Sequence, residues 1–536
     1  MTRPVFSDIH PDAAERIASP AQDTAQKQQD LGKRDERFAK LQNRAANIMQ
    51  TLQNLHQFFF GKKSEKIRMP ATKGGAEQLS LFHKEDSGAI PQSDAPEADE
   101  VPWAVHKRKK KRTQKKLIAR FSVSVKKGLL CSALCVLFLM PLGALGEARV
   151  MVVTDIHYLA PELYRDSDLF IMALKRGDGK ITQYSDELLA ALCSEAAALK
   201  PDALIVTGDL TLNGEKASHK RLAQWFASIE KEAGVPVWVI PGNHDINSEN
   251  AHIYYHYSWD STETVSQAEF AEIYRDFMLP AEGKENANLS YHVIISDEFW
   301  AVLPDISFYK PTAQAFGLFT SDHKDWIEGV LTQARAAGAE AVTFTHHNLI
   351  SHTKFLEEVY LMFGHESMAS LVRQYGVRLN LSGHMHIQHI AEENGLTDAA
   401  TGGFCVAPHR YSLVTLSDDG TLTYEAKALN EAYLPEGFQA MSRTWFGDIA
   451  KEKARASLSS LNIPVEALET MLDYFAKFNL AYFAGEYSAD DPAWMEDAAY
   501  PLWQRYAPEY LNAYMGTVMH ESQGNHLIRV LPPYNR

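Results

Sequence analysis

Five times between residues 149 and 386, a short apolar run breaks into Asp, Asn or His, often through a small residue. The runs cover residues 150–153, 203–207, 235–240, 341–344 and 377–381. They end in Asp155-Ile156-His157, Gly208-Asp209-Leu210-Thr211, Pro241-Gly242-Asn243-His244-Asp245, Thr345-His346-His347-Asn348 and Ser382-Gly383-His384-Met385-His386. An apolar run without alternation fits a strand covered on both faces. Between the first two, residues 184–200 place Leu188, Leu189, Leu192, Ala196 and Leu199 on one helical face. Strands alternating with helices predict an α/β fold, whose strand ends open into a crevice. The two-residue spacing puts Asp155 and His157 on one side of extended chain. A carboxylate beside an imidazole is half of a divalent metal site. One such strand end is ordinary; five in one chain point to a metal centre.

In that order, D-x-H, G-D-L-T, G-N-H-D, H-H and G-H-x-H resemble the calcineurin-like metallophosphoesterase family over about residues 149–415. The resemblance implies a metallophosphoesterase-type sandwich of two mixed β-sheets flanked by helices. It also implies two divalent ions: one on Asp155, His157, Asp209 and His386, the other on Asp209, Asn243, His346 and His384. Asp209 bridges, because a carboxylate has two oxygens to share. Ions about 3.5–4 Å apart can hold a hydroxide and clamp phosphate oxygens, which implies in-line attack on a phosphate-ester substrate, diester ahead of monoester. His244 is then placed to stabilise developing charge or protonate the leaving oxygen. Mixed nitrogen and oxygen donors suit Mn, Fe, Zn or Co better than Ca or Mg. Asn348 departs from the family, where many relatives carry proline; position in the motif favours His346 over His347.

Other residues carry weaker expectations. Asp245 either orients a neighbour or forms the turn. His219, His252, His256, His352 and His365 are expected as surface histidines, with substrate contact the alternative. The aromatic cluster at 247–260 is either a substrate wall or a small packed helix. Residues 406–428 alternate around Asp418-Asp419-Gly420, a hairpin signal that closes a catalytic domain of residues 149–428. From Phe438 onward the pattern is helical and aromatic, with Pro464 starting one helix, so residues 429–536 are expected as a small helical C-terminal domain.

The net charge of −15 conceals an asymmetry. Residues 1–127 hold 25 Lys and Arg against 15 Asp and Glu, leaving −25 for the remainder. Nucleic acid is thus a partner for the leader only. Leu31, Phe38, Leu41, Ala45, Ile48, Leu52, Leu55 and Phe59 form a heptad stripe. With Phe59-Phe60-Gly61-Lys62-Lys63, Gln78-Leu79-Ser80-Leu81-Phe82, an acidic linker and the basic run from His106 to Arg112, residues 30–115 resemble the N-terminal part of an insertion-sequence transposase family. No transposase core follows, so a fused fragment is expected. Residues 128–146 are apolar behind Lys126-Lys127, either a signal peptide or a membrane anchor. Both readings put the catalytic part outside the cell or in its envelope. The four cysteines are too few for a disulfide framework; pairing of Cys193 with Cys405, and oligomeric state, stay open.

Overall fold

Apolar β-branched runs and amphipathic helices alternate along the chain as expected, and each of the five runs is a strand. The computed structural model describes residues 147–279, 288–355, 357–521 and 524–533. The heptad stripe, the basic run and the apolar stretch at 128–146 lie outside them. Among the described residues, no helix is long and apolar enough to cross a membrane.

The elements follow in chain order: β1 (Ala148–Val153), α1 (Asp168–Lys175), α2 (Ser185–Leu199), β2 (Ala203–Thr207), α3 (Lys216–Ala233) and β3 (Val237–Ile240). Next come β4 (His252–Tyr254), β5 (Trp259–Ser261), α4 (Gln267–Ile273), β6 (Tyr291–Ser296), β7 (Phe299–Leu303), α5 (Ser321–Ala337) and β8 (Glu340–Phe344). Then α6 (Glu357–Tyr360), α7 (His365–Gln374), β9 (Leu379–Ser382), β10 (His389–Glu393), β11 (Leu396–Ala400), β12 (Arg410–Leu416) and β13 (Leu422–Ala428) complete the two main sheets but for one strand. Helices α8 (Phe438–Leu458), α9 (Val465–Phe483), α10 (Ala493–Glu496), α11 (Tyr500–Tyr506) and α12 (Glu509–Glu521) precede β14 (Ile528–Leu531).

One sheet runs β14-β13-β12-β1-β2-β3 and the other β10-β11-β9-β8-β7-β6. Both are mixed: β1, β2 and β3 are parallel while β12 is antiparallel to β1. In the second sheet, β7, β8 and β9 are parallel and β6 is antiparallel to β7. The inner faces share one apolar core, in which Val150, Val152, Ile205 and Val239 pack with Phe299, Val342, Phe344 and Leu381. A second cluster covers the outer face of the β6–β11 sheet, joining Trp300 and Val302 to Ile327 and Leu331 of α5 and Met368 of α7. The fold is thus the expected sandwich of two mixed sheets with flanking helices.

The hairpin at Asp418-Asp419-Gly420 joins β12 to β13. Pro464 stands directly before α9, where a missing N–H and a fixed φ cost nothing. The tail departs from the helical expectation at its end. After α12 the chain returns as β14, antiparallel to β13. Short strands of this kind pair through the backbone, so Ile528–Leu531 carries little side-chain pattern to announce it. The 247–260 cluster also differs from a helix: it is a β4–β5 hairpin, with Tyr254 against Phe170 and Tyr257 exposed at the tip.

Candidate metal centre

The crevice lies at the C-terminal ends of β1, β2, β3, β8 and β9, and the donors reach it through sharp backbone turns. Asp155, His157, Asp209, His384 and His386 all have positive φ, between 45° and 67°. Left-handed backbone costs a non-glycine residue about 1 kcal/mol, a strain typical of functional sites. The Asp155–His157 pair is therefore not extended, as its spacing suggested. Two left-handed turns, not the pleat, bring the side chains together. Glycines allow the turns to nest: a Cβ on Gly242 would lie 2.2 Å from Asp209 Oδ1, and one on Gly383 only 1.9 Å from Thr154 Oγ1.

Two groups of donors result, and they share one carboxylate. Asp155, His157, Asp209 and His386 form the first; Asp209, His346 and His384 form the second. In the first, His157 Nε2 lies 3.0 Å from His386 Nε2 and 3.7 Å from Asp209 Oδ2, while His386 Nε2 is 3.4 Å from Asp155 Oδ1. In the second, His346 Nε2 is 3.4 Å from Asp209 Oδ1 and 2.9 Å from Asn243 Oδ1. His347 turns away, 3.2 Å from the Ala315 carbonyl. His244 sits at the rim with 23 % of its side chain exposed, and its Nε2 is 3.9 Å from Asp209 Oδ2.

Carbonyl and carboxylate partners decide the tautomers, since they can only accept. His346 Nδ1 donates to Thr207 O, His386 Nδ1 to Asp178, His384 Nε2 to Val359 O and His244 Nδ1 to Leu212 O. The opposite nitrogen of His346 faces Asp209 and Asn243 Oδ1, and that of His386 faces Asp155; each would lose its Nε2 proton on ligating a metal. Burial pulls both rings towards neutrality, but Asp209 beside His346 and Asp178 with Asp155 beside His386 prevail, raising each pKa to about 9. Asp155 Oδ1 and His157 Nδ1 are buried without a hydrogen-bond partner among the described residues. Of the two, Asp155 Oδ1 faces His386 Nε2 at 3.4 Å and His157 Nε2 at 4.0 Å, and a buried acceptor among converging imidazoles fits a divalent ion.

The sequence missed the supports of this centre. Asp178, in the 176–180 loop, orients His386; only its Asp-Gly turn pair was visible. Asp398 on β11 accepts from Leu349 N, Ile350 N, Asn380 Nδ2 and Ser382 Oγ at 2.6–3.2 Å. It thus ties the loop after β8 to the end of β9. Asn348, where a proline is common, donates from Nδ2 to Ser382 Oγ at 2.8 Å. Asp245 is a local organiser, accepting from Leu210 N, Thr211 N and Gly242 N. His219, His252 and His352 are buried rather than on the surface. His219 lies between Tyr274 OH and Asp245 O, and His352 between His389 and Asp398. Surface exposure cannot be read from a lone histidine, because its neutral ring buries readily once hydrogen-bonded. Cys193 and Cys405 are both buried free thiols.

Two mixed sheets whose strand ends gather carboxylates and imidazoles define an α/β enzyme with a candidate metal site. Residues 148–388 match the family model of calcineurin-like phosphoesterases, and the chain carries a calcineurin-like phosphoesterase domain. Residues 435–525 match the C-terminal domain of cyclic nucleotide phosphodiesterase. A probable cyclic nucleotide phosphodiesterase from Psychrobacter arcticus is 22% identical, covering 48% of this chain and 81% of that one. A probable glycerophosphodiester phosphodiesterase from Arcobacter nitrofigilis is 30% identical over 35% of this chain and 57% of its own. A 3',5'-cyclic adenosine monophosphate phosphodiesterase from Haemophilus influenzae is 23% identical over 43% and 76%. Among solved structures, a dimetal phosphatase from Danio rerio has 14% identity and a TM-score of 0.39, covering 53% of this chain and 96% of that one.

Proposed function

We propose that this phosphoesterase works with two divalent ions and prefers phosphodiesters to monoesters. The observation that carries the reading is Asp209, which belongs to both donor groups. Asp155, His157, Asp209 and His386 would hold one ion, and Asp209, Asn243, His346 and His384 the other. When bound, such ions polarise phosphoryl oxygens and make water acidic enough to serve as a nucleophile. The chain's own residues do the remaining work. Asp209 offsets part of the added charge while its Oδ1 accepts the backbone N–H of His244 at 2.9 Å. His244, anchored through Nδ1 on Leu212 O, presents Nε2 at the rim; in its imidazolium form, which the Asp209 charge favours against burial, it can give the Nε2 proton to the leaving oxygen. The diester preference is supported by the names of the relatives above.

The test is hydrolysis of bis-p-nitrophenyl phosphate and p-nitrophenyl phosphate by the full chain, with chelator and with added Mn. Mn-dependent turnover with the diester faster supports the reading; turnover that survives thorough chelation refutes it. We also propose export, resting on residues 120–146, to be tested by fractionating cells that make the full chain. Recovery of the phosphoesterase only with cytoplasmic markers would overturn it. The nucleic-acid alternative draws on residues 1–127 alone, outside the described residues.

A further inference from the structure

The loop between α1 and α2 brings two charged side chains to the metal centre, and only one has been accounted for. Asp178 holds His386. Lys180, two residues on, has a side chain just 14 % exposed, and its Nζ stands 3.8 Å from Asp178 Oδ1. That is ion-pair range but beyond a hydrogen bond, and Asp178 Oδ1 is itself buried without a hydrogen-bond partner among the described residues. Against burial, the Lys180 ammonium is favoured first by Asp178 and more weakly by Asp209 and Asp155, and its charge in turn helps depress His157 and His244 after burial.

The loop is held from outside by the C-terminal helices. Trp445 Nε1 of α8 donates to Lys180 O at 3.2 Å, and Lys453 Nζ of α8 donates to Gly177 O at 2.5 Å. Gly179, at φ +87°, lies so close to Phe446 that a Cβ would come within 2.4 Å of the ring. Three contacts from one helix on a five-residue loop leave Lys180 little freedom to swing away.

A buried ammonium next to a centre built for divalent cations is repelled once those cations bind. Asp178, shared with His386 and 3.8 Å from Nζ, offsets part of that repulsion, and a phosphate anion bound at the centre would offset the rest. We propose that Lys180 is a substrate-binding residue: its ammonium takes a non-bridging phosphate oxygen of the ester, and α8 fixes the loop that presents it. This rests on the phosphoesterase reading above and adds a role for the C-terminal helices, which set the site's anion affinity through this loop.

The experiment measures inorganic phosphate binding by calorimetry to the full chain loaded with Mn, alongside bound Mn per chain and KM for bis-p-nitrophenyl phosphate. Lys180→Met is expected to weaken phosphate binding by about tenfold or more, the worth of one charge-assisted hydrogen bond. KM should rise with it while bound Mn stays at the wild-type level, and Lys180→Arg should restore most of the affinity. If Lys180→Met loses its cooperative melt, Lys180→Gln takes its place. Phosphate affinity within twofold of wild type overturns the inference, as does a loss that merely follows lost Mn. A wild-type chain that binds Mn and phosphate yet hydrolyses neither ester would sink the proposed function, while the Lys180 comparison would still stand.

Discussion

His157 Nε2 and His386 Nε2 face one another at 3.0 Å across the ends of β1 and β9. His386 donates from Nδ1 to Asp178, so its Nε2 and that of His157 converge as two imidazole donors for one cation, which displaces the Nε2 proton of His386 when it binds. A bound ion should therefore stabilise the fold. At 100 times its dissociation constant, a ligand specific to the native state adds about 2.7 kcal/mol. Calorimetry should show Tm rising with Mn and falling with chelator, and an unchanged Tm would count against the centre.

The Asp178–His386 contact predicts how a supporting residue behaves. Asp178→Ala frees the ring to reorient and should weaken metal binding roughly 10–100-fold. Asp209→Ala should cost more, because it removes a donor from both groups at once. Metal titrations of the two variants would rank them, and the reverse order would refute the shared role of Asp209.

His244 should separate chemistry from metal binding. Its ring is anchored on Leu212 O and Asn213 Oδ1. His244→Ala is thus expected to lower kcat by about 10²–10⁴-fold with bound metal unchanged. Equal loss of metal and kcat would make it a ligand instead.

Asp398 predicts a stability effect away from the crevice. Asp398→Ala strands four donors, two of them backbone N–H groups after β8. With about 1–3 kcal/mol for each buried group left unpaired, urea unfolding should show a loss of about 3 kcal/mol or more. A loss under about 1 kcal/mol would mean that water replaces the carboxylate.

Glu215 gives a pH signature. Burial pushes its carboxyl up to about 8 from the ordinary 4.5. Between those values the native state keeps a proton that the unfolded chain releases, so this group makes stability fall as pH rises from about 4.5 to 8. Glu215→Gln should therefore gain on the wild type across that window and hold a constant difference above it. Urea midpoints from pH 4.5 to 9 would show it, and parallel curves would exclude the buried acid as the cause.

The strands and their terminal donors were legible because both signals are local: an apolar run, then Asp, Asn or His within a few residues. Hence the α/β class and the donor set from Asp155 to His386 could be read from the chain alone, and the family resemblance extended them to two mixed sheets. The backbone path was not legible. Asp155 and His157 meet through left-handed turns, a conformation set by the packing of Gly242 and Gly383 against neighbouring loops. Nor were the supports, since Asp178 reaches His386 across 208 positions and Asp398 reaches Leu349 across 49. Such pairings carry no periodicity, and a single buried carboxylate reads like any surface acid until its donors are seen. Sequence by itself named the residues whose side chains carry cation-type donors. Only the tertiary structure decided their angles, their tautomers and the lysine beside them, because each depends on contacts between segments that the chain brings together last.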